Sequence, residues 1–141
     1  MMKDVVININ SIHGCEEEGE DRIEFTTDGK YSYADGTGYL SYMESDVTGM
    51  AGTRTSVEIR PDEVIVDRTG CITSRMVFRR GLKNSFQYET PYGMATMGMN
   101  TRRISHDFNA HGGSMTIDYV LDVEHAVVER NRFCLSVTEQ Q

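Results

Sequence analysis

The chain has 141 residues, of which 38% are apolar and 26% charged: enough for one substantial core, too short for two, and too polar for a membrane span. Fourteen basic against 22 acidic residues leave a net charge of −8, which opposes nonspecific binding to nucleic acid, whose phosphates attract a basic surface. Arg79-Arg80 and Arg102-Arg103 are too short to reverse that field.

Val5, Val6 and Ile7 end at Asn8, an apolar run too brief for a secretory signal. From there, period-two alternation runs through the whole chain and no window carries a helical stripe. Val5, Ile7 and Ile9 share one face of a first strand. The acidic stretch from Glu16 to Asp21 reads as a solvated loop before Ile23, Phe25 and Thr27, which continue through Gly29 to Tyr31 and Tyr33. Asp35-Gly36 is a strong two-residue hairpin signal. Beyond it Leu40, Tyr42 and Glu44 fall on one face, and a single helical turn is predicted between Glu44 and Met50.

Thr53, Thr55, Val57 and Ile59 resume the alternation. Pro61-Asp62 turns the chain into Val64, Val66 and Arg68, and Thr69-Gly70 turns it into Ile72, Ser74, Met76 and Phe78. Arg80-Gly81 leads to Phe86, Tyr88 and Thr90, and Pro91-Tyr92-Gly93 makes a tight corner, with proline fixing φ and glycine freeing it. Met94, Met97 and Met99 follow as flexible core filler or an adaptable wall. Ile104 to Phe108 is a short strand, His111-Gly112-Gly113 a turn, and Met115, Ile117, Tyr119, Leu121 and Val123 the cleanest amphipathic strand. Asn131, Phe133, Leu135 and Val137 close the chain. Roughly ten short strands at hairpin spacing predict an all-β fold, an antiparallel and mainly up-and-down barrel of about 8–10 strands with little helix, spanning residues 1–141 as one domain.

A barrel built for stability alone would have an aliphatic interior. Here the predicted inward faces include Tyr42, Glu44, Thr53, Thr55, Arg68, Tyr88, Thr90 and Asn131. Burying isolated charges is costly, so Glu44 and Arg68 are expected to pair if both point inward. Glu44→Ala would then cost roughly 3–5 kcal/mol by leaving Arg68 unpaired. That pair reads either as a device fixing strand register, with a rim position as its alternative, or as the polar anchor of a small-molecule site. In the second case Tyr42, Met76, Phe78, Tyr88 and Thr90 join Glu44 and Arg68 around the ligand.

Other motifs carry less. His106 and His111 straddle a glycine turn rather than meeting a metal, and His13 and His125 have no spacing that joins them. Thr48-Gly49-Met50-Ala51-Gly52-Thr53 lacks the Lys-Ser/Thr and the helix of a phosphate loop. Cys15, Cys71 and Cys134 are widely separated and odd in number, which gives no CxxC site and fits a reducing, cytoplasmic compartment. No serine sits in a nucleophile elbow and no cysteine has a base beside it, so no catalytic residue, metal or cofactor is assigned.

Taken in order, Ile23-Glu24-Phe25, Gly29-Lys30-Tyr31, Tyr39-Leu40-Ser41-Tyr42-Met43-Glu44, Thr48-Gly49-Met50, Arg68-Thr69-Gly70, Met76-Val77-Phe78 and Tyr88-Glu89-Thr90-Pro91-Tyr92-Gly93 resemble the bacterial YwiB-like family, a domain of unknown function, across essentially the whole chain. The resemblance implies a calycin-like barrel, related in shape to lipocalins and fatty-acid-binding proteins, and carries no activity, cofactor or catalytic residue with it. The functional expectation is a cytoplasmic barrel binding a small amphipathic or apolar molecule. The alternative is a non-enzymatic scaffold with a filled barrel, acting through its surface or as a homodimer. An enzyme using an internal carboxylate ranks last. Neither a nucleic acid nor a membrane partner is expected.

Overall fold

Alternation of apolar and polar residues over short segments leaves each strand one face to bury, and closing the sheet on itself buries all ten at once. The computed structural model describes residues 2–15, 19–123 and 126–140. Its strands are β1 (Lys3–Cys15), β2 (Gly19–Ala34), β3 (Thr37–Met43), β4 (Thr53–Ile59), β5 (Val64–Gly70), β6 (Ser74–Phe78), β7 (Lys83–Thr90), β8 (Gly93–His106), β9 (Gly113–Val123) and β10 (Ala126–Glu139). A 3-10 turn, Asp46–Thr48, lies between β3 and β4, where the single helical turn is predicted.

All ten belong to one antiparallel sheet in the order β6-β5-β4-β3-β2-β1-β10-β9-β8-β7. Each strand except β6 therefore neighbours the next in sequence, and β10 returns to β1. Closure is weakest between β6 and β7. There Thr73 and Glu89 exchange both backbone hydrogen bonds at 2.9 Å, and Asn84 Nδ2 donates to the Val77 carbonyl at 3.3 Å. The barrel is thus nearly closed, with an incomplete seam.

The hairpin at Asp35-Gly36 forms as expected, with both residues at positive φ (54° and 79°), as a two-residue primed turn requires. The segment from Ile104 onward is not a separate short strand: it continues β8, and Phe108 lies beyond the strand's end. A register shift between Thr101 and Arg103 explains the broken pattern. Thr101 and Met99 are buried at odd positions, both arginines are exposed, and Ile104 turns inward at an even one. One inserted residue reverses side-chain parity. The acidic run splits: Gly19–Asp21 opens β2, while Glu16, Glu17 and Glu18 lie outside the described residues, as does His125.

Strands alternate in direction, so connections fall at two ends. The lower end carries the β2–β3, β4–β5, β6–β7 and β8–β9 turns, and the upper end the others. The lower interior is dry and apolar: Val5, Ile7, Val64 and Ile117 are 0% exposed and Ile59 1%. The β8–β9 turn plugs it from below. Phe108 packs on Tyr31 with ring centroids 5.9 Å apart, and the Tyr31 hydroxyl donates to the Asn109 carbonyl at 2.6 Å.

Candidate functional site: the polar upper interior

Apart from Asn84 at the start of β7 and Thr101 midway along β8, the polar inward residues gather toward one end. In the upward-running strands they come late, as Ser11 and His13 in β1, Tyr42 in β3 with Glu44 just beyond it, Arg68 in β5, and Tyr119 in β9. In the downward strands they come early, as Thr53 and Thr55 in β4, Ser74 in β6, and Glu129 and Asn131 in β10. Every one of these positions is in the upper half. The inward faces of the same strands turn apolar below them, as in Val5-Ile7-Ile9 and Leu135-Val137.

Glu44 is 7% exposed and well held. Its backbone N–H donates to the Thr53 carbonyl at 2.8 Å, continuing the β3–β4 ladder one residue past the strand. Its Oε1 accepts from Thr55 Oγ1 at 2.9 Å and its Oε2 from Thr48 Oγ1 at 2.8 Å. The 3-10 turn thus brings one of its two partners, and Ser45 caps that turn by accepting from Val47 N–H. The Tyr42 hydroxyl lies beside this carboxylate. Burial pushes its pKa far above the usual tyrosine value, the Glu44 charge pushes it further, and Arg68 partly opposes both.

Arg68 faces inward but does not pair with Glu44. None of the ion pairs among the described residues includes it. Its Nη1 reaches the Met76 thioether at 3.6 Å, and its buried Nε has no hydrogen-bond partner. The expected pair fails because threonine hydroxyls within reach satisfy the carboxylate first. On the far wall Tyr119 stacks edge-on against Phe78 at 4.9 Å, and burial raises its pKa to about 12, with Arg68 lowering it and Glu129 raising it.

A second cluster went unseen in the sequence because its members lie 116 and 118 residues apart. His13 Nδ1 lies 2.8 Å from Glu129 Oε1 and 2.5 Å from Asn131 Oδ1, while its Nε2 is 2.8 Å from Ser11 Oγ. Two acceptors at Nδ1 place the neutral ring's proton there, so Nε2 accepts from the serine. Ser–His–Glu in that order is the hydrogen-bonding sequence of an activated nucleophile. However, Ser11 sits inside a strand paired on both sides, which commits its backbone N–H to the ladder rather than to an oxyanion. The arrangement orders the rim.

Of the remaining residues singled out from sequence, Met76 and Phe78 are buried wall and Tyr88 is a half-buried inward side chain of β7. Thr90 spends its hydroxyl on the corner, accepting from Tyr92 N–H and donating to the Gly93 carbonyl, both at 3.1 Å. The three methionines do not share a face: Met99 is buried, Met97 half-buried, and Met94 exposed on the opposite parity. His111 is exposed and near Glu139, away from His106. A shallow cleft of about 220 Å³ at Ser105–Asp107 and Ser114–Thr116 lies at the lower end, smaller than ordinary ligand sites and remote from Arg68.

Comparison with known proteins agrees with this architecture. The chain is similar to an uncharacterized β-barrel protein, YwiB, of Bacillus subtilis strain 168, at 28% identity over 120 residues covering 84% of this chain and 82% of the relative. The crystal structure of ywiB protein from Bacillus subtilis superposes with a TM-score of 0.87 at 21% identity, covering 99% of this chain and 94% of that one. A domain of unknown function, DUF1934, matches residues 7–135, and the chain belongs to that family.

Proposed function

We propose that the protein is a binding barrel that admits one small, partly apolar molecule through its upper end. The carrying observation is a contrast within one interior. Val5, Ile7, Ile59, Val64 and Ile117 below are sealed, whereas several upper inward side chains (Phe25, Arg68, Tyr88, Tyr119, Leu121, and His13 with its side chain 32% exposed) still meet water. A side chain that faces inward and remains solvated lines space rather than solid core. Phe25 and Tyr42, with ring centroids 6.5 Å apart, would offer an aromatic wall, and Glu44, Arg68, Met76, Phe78, Tyr88 and Thr90 complete the set named from sequence. A calycin-like shape, implied by the resemblance, fits such a role, and the cysteine pattern fits a cytoplasmic location.

The test is native mass spectrometry of the protein purified gently from its own host. The reading predicts one reproducible added mass per chain. Bare chains that assemble into dimers would favour the alternative, a scaffold acting by self-association. One observation favours that alternative: Tyr39 and Met43 lie exposed on the same outer face of β3, with exposed Val47 just beyond.

A further inference from the structure

We propose that the molecule bound in the upper barrel carries an oxyanion head group, a carboxylate or phosphate on an apolar body, seated on Arg68; this rests on the binding-barrel reading above. An interior guanidinium brings five N–H donors in a planar fork and a charge that never leaves. Here that fork has one thioether contact through Nη1, its Nε is buried without a partner, and among the described residues no carboxylate approaches it within ion-pair distance. The two upper carboxylates are engaged elsewhere, Glu44 by two threonines and Glu129 by His13. Arg68 is half-buried, with its Nε sealed and the rest of the fork able to meet a ligand, and an Arg–oxyanion pair is the geometry this fork favours.

The surroundings point the same way. Five further buried atoms lack partners among the described residues. Asn10 Oδ1 lies on the opposite parity of β1 and Asn84 Oδ1 at the lower start of β7, which leaves Ser74 Oγ, Thr101 Oγ1 and Asn131 Nδ2 on the inward face around Arg68. Their residues are 6%, 0% and 4% exposed. Ser74 is the direct cross-strand partner of Arg68, and Thr101 and Asn131 flank Tyr119, whose hydroxyl feels the Arg68 charge. All three can donate, so the unmet need of the upper interior is for acceptors. The walls beside Arg68 are apolar or aromatic, namely Met76, Tyr42 and Tyr119. Charge plus wall specifies an anionic amphiphile rather than a bare ion.

Two dyes with similar aromatic bodies separate the parts of this claim: anilinonaphthalene sulfonate, which is anionic, and phenylnaphthylamine, which is neutral. Wild type should bind both with one site per chain, the anionic dye more tightly. Arg68→Met should weaken the anionic dye by about tenfold or more, the loss of one charge-assisted bond, and leave the neutral dye within about twofold. Arg68→Lys, which keeps charge but loses the fork, should fall between. Folding does not confound the result: Arg68 is half-buried and makes no ion pair among the described residues, so the melting temperature of Arg68→Met should not fall. Octanoate and octyl phosphate should displace the anionic dye more strongly than octanol, and the stronger of the two identifies the head group. Equal anionic-dye affinity in wild type and Arg68→Met, or octanol competing as well as octanoate, overturns the oxyanion proposal while leaving the cavity. Failure of the neutral dye to bind wild type overturns the binding-barrel reading itself.

Discussion

Replacing Glu44 with alanine isolates what the upper interior rests on. The substitution removes a carboxylate that accepts from Thr55 Oγ1 at 2.9 Å and Thr48 Oγ1 at 2.8 Å. Thr48 is partly exposed and its hydroxyl also reaches the Ser45 carbonyl at 3.1 Å, so it recovers readily. Thr55 is 0% exposed and would be stranded. Leaving one buried hydroxyl unmet costs about 1–3 kcal/mol, and relief of the carboxylate's own burial offsets part of the remainder. The expected loss is about 2–3 kcal/mol, below the 3–5 kcal/mol typical of breaking a buried ion pair. Glu44→Gln, which keeps an acceptor for Thr55, should lose about 1 kcal/mol. Urea unfolding followed by circular dichroism reads both, with m unchanged. A double-mutant cycle supplies the critical comparison: Glu44→Ala should couple to Thr55→Val more strongly than to Arg68→Met. Stronger coupling to Arg68, or a Glu44→Ala variant within about 0.5 kcal/mol of wild type, would refute the reasoning.

Two other predictions concern the barrel itself. Gly29 faces inward, where an added Cβ would strike Ile7 Cδ1 and lie 2.6 Å from the Ser41 carbonyl oxygen; Gly29→Ala should therefore lose about 1–3 kcal/mol in the same urea assay. At high pH, Tyr31 and Tyr119 have pKa values pushed to about 12 by burial, and Tyr42 is raised further. Each folded-state value lies above the unfolded tyrosine value of about 10, so this stability is fully present below pH ~10 and is lost as pH rises toward ~12. Tyrosinate absorbance from Tyr31 and Tyr42, 0% and 3% exposed, should appear together with loss of the sheet signal; their ionisation before unfolding would contradict their burial.

Much of the barrel was legible because alternation is a local signal. Asp35-Gly36 announced its hairpin and Pro61-Asp62 its bend, and parity placed Tyr42, Glu44 and Arg68 inward, whereas Thr69-Gly70 stays paired in β5 and the chain bends one step later, at Cys71-Ile72. What escaped was non-local or cancelled by it. The inserted residue near Arg102 reverses parity without any composition cue, so Ile104 looked like the start of a new strand. Met94 sits on the other face from Met97 and Met99, a matter of parity that clustering in sequence obscures. The pairing of Glu44 with Arg68 was inferred from charge, but a 3-10 turn delivered Thr48 instead. The His13–Glu129–Asn131–Ser11 cluster depends on β10 returning to β1, which only the closed sheet reveals.

A barrel that receives a small molecule in its upper interior should respond there and not on its outer surface. Amide and aromatic chemical-shift mapping by NMR during titration with the neutral dye tests this most directly. Saturable shifts should concentrate at Phe25, Tyr42, Arg68, Tyr88 and Tyr119, with the sealed Val5, Ile7 and Ile117 little changed. Shifts centred on exposed Tyr39, Met43 and Val47, with the interior tyrosines unmoved, would contradict that reading.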